Sequence, residues 1–427
     1  MKIIRSHLEG FLYLLLWAIL AALFLAGLIS QGPGALGAAA ELQIHPARLL
    51  NDFTAIAGPG AALMNATVTA AVALLLVWRS KISLSGPTIA AVFTVLGFGL
   101  FGKTVLNILP ILLGVALSAK VIGRTFGEYI IIALFGTALG PLVSAVALET
   151  GLTGIPAVAV ALLGGVGAGF LLPPLAMTML RLHQGYNLYN LGLTTGFLAL
   201  FVAAALNASG ASLDIAVVWN SDPSPLLVYL IPVLSLVLIA AALLAGGGAI
   251  SGDLRAIMKI SGRLPSDFVS SVSPGGALLN MGLMGLAGWA YVLIVGGDLN
   301  GPVLGGIFTV IGFASFGKHP RNTLPVVAGL VVAALLFGKP LNSPSPLLAA
   351  LFVTTLAPLA GEFGMRLGFT AGFLHLILVL QTTSWHGGIS LYNNGFAGGL
   401  TATLLVAVIE WRRNNQKTAT TFGGKRK

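Results

Sequence analysis

The chain contains one membrane-type unit twice. Asp52-Phe53, Pro59-Gly60 and Asn65 recur 215 positions later as Asp267-Phe268, Pro274-Gly275 and Asn280. At the same offset Pro87, Phe93-Thr94, Gly97-Phe98, Phe101-Gly102-Lys103, Asn107 and Leu109-Pro110 return as Pro302, Phe308-Thr309, Gly312-Phe313, Phe316-Gly317-Lys318, Asn322 and Leu324-Pro325. A second block, His183-x-Gly185-x2-Leu188-Tyr189-Asn190-x-Gly192, returns 203 positions on as His386-x-Gly388-x2-Leu391-Tyr392-Asn393-x-Gly395. Two copies of a unit with an odd number of crossings must insert in opposite orientations. That arrangement marks many transporters and some solute channels.

The composition places both copies in lipid. Hydrophobic residues make up 57% of the chain and charged residues 8%, against about 25% charged in water-soluble domains. Soluble catalytic folds are thereby excluded. The absence of cysteine removes disulfides, thiolate metal sites and cysteine nucleophiles. No P-loop, HExxH or CxxC is present, and neither cofactor nor metal is expected. The net charge of +10 falls in short loops and at the termini, so it reads as a topology signal rather than a nucleic-acid surface.

Hydropathy gives fourteen apolar segments, near 8–29, 58–78, 86–102, 105–119, 128–148, 155–180 and 187–207, then 225–246, 274–296, 302–317, 322–338, 344–361, 364–382 and 389–410. A helical crossing takes about 20 residues. The third and fourth segments of each half are short for that and read as tilted, broken or re-entrant. The expected fold is therefore an all-α integral membrane protein of two inverted-topology repeats, with about seven hydrophobic segments each and 10 to 14 spans. The first repeat is 1–207, an external linker 208–223 (with Asp214 and Asp222), the second repeat 224–411, and 412–427 a basic, disordered tail. The apolar run after Lys2 and Arg5 is longer than a signal-peptide core and has a counterpart at 225–246, so it reads as a retained span. With the N-terminus inside, 19 of the 22 Lys and Arg residues become cytoplasmic. That bias favours both termini inside, in the cytoplasmic membrane of a bacterium.

Residues common to both copies are the candidate site. Thr94, Lys103 and Asn107, with Thr309, Lys318 and Asn322, flank a helix–break–helix. In lipid such a break is tolerated only inside protein or along a wet cavity. A glycine adopting positive φ is expected to end the first helix, and Asn followed by Pro to open the next. Helix ends at a cavity offer partial charges to an ion or polar solute; an ordinary interfacial loop with lysine at the headgroups is the alternative. Asn65 and Asn280 stand one to two turns into their helices, as solute ligands or as ties between helices. Tyr189-Asn190 and Tyr392-Asn393 place a hydroxyl and an amide beside a Gly-rich helix, where they either bind solute or belong to packing and the interfacial aromatic belt. His183 and His386 read as boundary residues. Arg48 with Asp52, and Arg263 with Asp267, suit a surface ion pair or a helix N-cap. His375, mid-segment and without a counterpart, is the candidate for proton coupling.

The duplicated halves with their Phe-Gly-Lys and Leu-Tyr-Asn-x-Gly signatures resemble a bacterial family of multi-pass proteins built from a duplicated domain of unknown function. That resemblance implies a membrane protein and transfers no activity. The Leu-Tyr-Asn turns also resemble, locally, a turn of urea transporters, although their Asn-Pro pore signature is missing. Seven-plus-seven inverted transporters of nucleobases and anions share the segment count.

The leading functional expectation is a secondary transporter. Its small polar or anionic solute would bind between the two breaks, with Lys103 and Lys318 favouring an anion. A channel for a small neutral, urea-like solute is the runner-up. A membrane enzyme or a structural role is disfavoured, because acids do not cluster in the loops and polar residues repeat inside both halves. The expected partners are the bilayer, the solute and, at most, further copies of the chain.

Overall fold

The computed structural model describes residues 2–210, 213, 217–246 and 249–423. Among these the chain is helical, apart from one isolated bridge between Asn51 and Val218. Each half contributes ten α-helices. The first ten are α1 Lys2–Gln31, α2 Gly34–Glu41, α3 Phe53–Ile56, α4 Pro59–Arg79, α5 Gly86–Phe98, α6 Val105–Val121, α7 Ile130–Gly136, α8 Gly140–Glu149, α9 Gly154–His183 and α10 Asn190–Ala208. They are matched one for one by α11 Pro225–Gly246, α12 Ile250–Ile257, α13 Phe268–Ser271, α14 Pro274–Ile294, α15 Gly301–Phe313, α16 Pro320–Leu336, α17 Pro344–Phe352, α18 Ala357–Phe363, α19 Met365–Trp385 and α20 Asn393–Gly423. Among the described residues, 10 helical stretches are long and apolar enough to cross a membrane, and α5, α6, α15 and α16 are the four shorter apolar helices. These are the short third and fourth segments of each repeat.

The repeats are inverted about a pseudo-twofold axis, and the proof is at the α5–α15 contact. Gly86, at the start of α5, lies against Ser315 and Phe316 past the end of α15, and Gly301 at the start of α15 lies against Leu100 past the end of α5. Equivalent helices thus run antiparallel. Their backbones meet at Gly97 and Gly305, where a Cβ on Gly97 would stand 2.7 Å from the Gly305 carbonyl oxygen. Only glycine permits this approach. A second equivalent pair, α10 and α20, crosses at Gly192 and Gly395.

Carboxylates are exchanged across the α5–α15 seam. Asp52 caps its own α3 through Thr54 N and also accepts from Gly301 N (3.2 Å) and Asn220 N (3.1 Å). Asp267 caps α13 and accepts from Gly86 N (3.0 Å). The orphan N–H groups that begin each short helix are thus met by the opposite repeat. The arginines four residues earlier also cross over: Arg48 Nη1 donates to Gly387 O (2.7 Å) and Arg263 Nε to Gln184 O (2.8 Å).

The apolar segments expected at 128–148 and 344–361 are present and long enough to cross a membrane, and each is interrupted by a 3₁₀ turn, Thr137–Leu139 and Val353–Leu356. Pro141 and Pro358 follow those turns, and proline cannot donate the hydrogen bond a continuing α-helix needs. The tail is not unstructured where it is described, since α20 runs on to Gly423. The run from Trp411 to Phe422 holds no proline or glycine to stop it. In the linker, Asp214 lies outside the described residues, while Trp219 Nε1 donates to Asp298 (2.8 Å) and folds the connection back onto the bundle.

Candidate functional site

The breaks after α5 and α15 are built without left-handed glycine. Gly99 caps α5 with φ of −65°, and neither Gly102 nor Gly317 has positive φ. Their small size matters instead. A Cβ on Gly102 would lie 2.6 Å from Leu391, and one on Gly317 2.7 Å from Leu188. The Leu-Tyr-Asn loop of each repeat therefore packs into the break of the other. Nor does Asn-Pro open the next helix. Thr104 and His319 are the N-caps, and Asn107 and Asn322 occupy the third helical position, returning a hydrogen bond to the cap backbone.

Most of the candidate polar residues are occupied by their own scaffold. Asn65 Nδ2 donates to Gly99 O (2.7 Å) and Lys103 O (2.8 Å), and Asn280 Nδ2 to Ala314 O and Lys318 O (both 2.7 Å). Each amide clamps the two ends of its break. Asn65 Oδ1 also accepts from Gln43 (2.8 Å); the counterpart of Gln43 is Met258, and Asn280 Oδ1 has no partner. Asn107 and Asn322 donate to Gly102 O and Gly317 O (2.9 Å each). Thr94 and Thr309 donate to the carbonyls one turn back. Asn190 is held by His183 (2.9 Å) and Asn393 by His386 (3.1 Å), so the paired histidines orient the amides of the Tyr-Asn turns. His375 lies apart, with Nε2 3.1 Å from Asn394 Oδ1.

The structure brings together the two lysines and the two tyrosines, around phenylalanines. All four are buried, the lysines completely, so none of them faces lipid headgroups or stands exposed in an aromatic belt. Tyr189 and Tyr392 face each other across the pseudo-twofold with ring centroids 5.4 Å apart. Phe313 packs on Tyr189 at 4.6 Å and Phe98 on Tyr392 at 4.8 Å. Lys318 Nζ donates to Tyr189 Oη and stands 4.5 Å from that ring's centroid. Lys103 Nζ stands 5.1 Å from the Phe98 centroid. It finds no hydrogen-bond acceptor, and the equivalent bond to Tyr392 is not made. The expected wet pocket directly between the breaks is thus filled by stacked rings, because antiparallel packing puts the breaks at opposite ends of the α5–α15 pair.

Cavities open at both ends of this ring stack. A chamber of about 390 Å³ is lined by Leu264, Phe316, Ile131, Phe135, Leu188 and Asn190, and its floor includes Tyr189 and Tyr392. At the other end the counterparts Leu49, Phe101, Leu348, Phe352, Leu391 and Asn393 line a space of about 30 Å³, room for one water molecule. One repeat geometry therefore yields a wide chamber and a collapsed one. A larger cavity, about 1020 Å³, lies instead on the periphery among exposed Leu148, Ile155 and Leu162, a surface suited to lipid chains.

Sequence reasoning did not reach the aromatic stack as a unit, nor Gln43, Thr355 or Asn394. The phenylalanines were visible as repeated letters, but their convergence depends on the inverted packing. The chain belongs to the family described as "Protein of unknown function (DUF1576)", whose model matches residues 34–208 and 248–411. No curated protein matches, and no solved structure does; the local likeness to urea transporters gains no support from them.

Proposed function

We propose that this protein is a secondary transporter that carries a small polar or anionic solute by alternating access. One observation carries the reading: two chambers, built from equivalent residues of inverted repeats, are unequal in volume and lie at opposite ends of one ring stack. In an inverted-repeat protein, exchanging the conformations of the two halves generates the opposite-facing state. Here that exchange would open the chamber at Leu348 and close the one at Ile131. Tyr189 and Tyr392 form the barrier between them. Lys318 on Tyr189 is the closed form of a contact that Lys103 and Tyr392 would make after the exchange. A solute anion reaching the stack would meet Lys103 Nζ, a buried donor without an acceptor. Asn65, Asn280, Asn107, Asn322, Thr94 and Thr309 are assigned to holding the breaks in shape. A continuous channel is disfavoured because the stack and the collapsed chamber interrupt the path.

The natural lack of cysteine supplies the test. Ile131→Cys and Leu348→Cys, equivalent positions in the two chambers, are made singly and treated with membrane-impermeant thiol reagents in oriented vesicles. Alternating access expects labelling from opposite sides, with a bulky adduct at one position suppressing labelling at the other. Independent, simultaneous labelling of both would establish the channel instead, and a permanently unreactive Leu348→Cys would remove the transporter reading.

A further inference from the structure

The two chambers differ in chemistry as well as in size. Where the first repeat has Leu172 and Leu191, both buried in one apolar cluster, the second has His375 and Asn394 in hydrogen-bond contact at 3.1 Å. Two equivalent positions are thus apolar in one copy and polar in the other. Leu191 lines the wide chamber and Asn394 the narrow one. Likewise Leu180 of the wide chamber corresponds to Thr383 of the narrow one. The wide chamber is consequently walled mostly by hydrocarbon, whereas the collapsed chamber gathers Asn394, Thr383, Asn393 and Ser345.

The hydrogen bonds already made decide what these groups can offer. The Asn394 Oδ1 atom accepts only, so the ring nitrogen His375 Nε2 carries the hydrogen between them. That bond fixes the amide and leaves Asn394 Nδ2 as its uncommitted group. Thr383 Oγ1 accepts from Asn393 Nδ2 (2.7 Å), which leaves the threonine hydroxyl free to donate. No carboxylate lines the chamber. Asp52, three residues past lining residue Leu49, is engaged by Thr54, Asn220 and Gly301. Behind the wall stands Lys103, whose Nζ has no acceptor and lies over Phe98, a ring packed against lining residues Phe101 and Phe352. A wall of donors with a lysine behind it matches a ligand that presents oxygen acceptors and negative charge.

We infer that the narrow chamber is a recognition site for a small oxyanion, with Asn394 and Thr383 as donors and His375 as a positioning residue that aims Asn394. The inference rests on the alternating-access reading, since the chamber must widen to take its ligand. It assigns selectivity to one end of the pathway: the polar end selects, and the apolar end is a passage. The open chamber seen here is on this view the non-selective one.

The test substitutes the first repeat's own residues. His375→Leu/Asn394→Leu installs the counterparts Leu172 and Leu191, which the first repeat buries in its own core. In a Leu348→Cys background, labelling rates are measured with sulfonatoethyl methanethiosulfonate, an oxyanion, and trimethylammonioethyl methanethiosulfonate, a cation, each normalised to its rate with free mercaptoethanol. The native pair is expected to favour the oxyanion by about tenfold, the effect of one charge-assisted hydrogen bond, and the double reversion to bring the ratio near unity. The ratio at Ile131→Cys is expected to stay unchanged by the reversion. An oxyanion preference at Leu348→Cys that survives the reversion, or is absent from the start, overturns this inference and leaves alternating access standing. Failure of either reagent to reach Leu348→Cys overturns both.

Discussion

The two ends of the α5–α15 pair are built from one repeated sequence and differ in three respects. At one end Lys318 is bonded to Tyr189 beside a chamber of about 390 Å³; at the other Lys103 Nζ has no acceptor and the chamber shrinks to about 30 Å³. The caps differ in burial: each carboxylate accepts from three backbone N–H groups, but Asp52 is fully buried and Asp267 partly exposed. Symmetry of sequence thus fixes the architecture, and departures from it mark where the halves are in different states or have diverged in chemistry.

Substitutions in equivalent pairs probe that contrast. The largest effect is expected at the exchanged carboxylates. Asp52→Ala should destabilise the protein by about 4 kcal/mol and Asp267→Ala by about 2 kcal/mol, because unmet buried donors cost more than exposed ones. Denaturant unfolding in micelles measures both, and equal losses would erase the asymmetry of burial.

The next largest effect concerns the cap of α16. Burial pushes the His319 imidazole down from 6.5 to about 4, with Arg321 acting in the same direction. A depressed histidine stabilises the fold fully above the unfolded value and loses that contribution as pH falls through it. The loss should reach about 3 kcal/mol between pH 6.5 and pH 4. His319→Thr, which installs the residue of the first repeat, Thr104, should reduce the slope by that amount. A slope unchanged in the variant would place this titration elsewhere.

Smaller effects are expected at the clamps and lysines. Asn65→Leu should cost about 2 kcal/mol and Asn280→Leu about 1 kcal/mol, since the second also removes an already unpartnered Oδ1. Equal losses would show that the Gln43 bond contributes nothing. Lys318→Met should cost about 1 kcal/mol by orphaning Tyr189 Oη, whereas Lys103→Met should be neutral or stabilising because it removes an uncompensated buried amine. Equal losses at both lysines would show that Lys103 has a partner of its own.

Much of the architecture was legible in the letters. The duplication predicted inversion, and the short third and fourth segments became α5, α6, α15 and α16. The Arg-Leu-x2-Asp pattern left a surface ion pair or an N-cap open, and Asp52 and Asp267 are N-caps. What the letters did not disclose was the partner. Asn65 and Asn280 read as solute ligands or, with a slight preference, as ties, and the letters did not show that their amides bond the Gly99, Lys103, Ala314 and Lys318 carbonyls. The same holds for Gly102 and Gly317, whose small size answers a leucine arriving from the opposite repeat. Periodicity reports which face of a helix is apolar; it carries no information about which distant loop will lie against that face.

Each repeat lends a carboxylate to the short helix of the other, so sliding α5 along α15 would strip both helices of their caps together. The closely apposed glycines at 97 and 305 add a second penalty, because lateral displacement would drive their backbones into neighbouring side chains. The centre of the protein is therefore an axle rather than a bearing surface, and any large rearrangement has to be made by the outer helices turning about it.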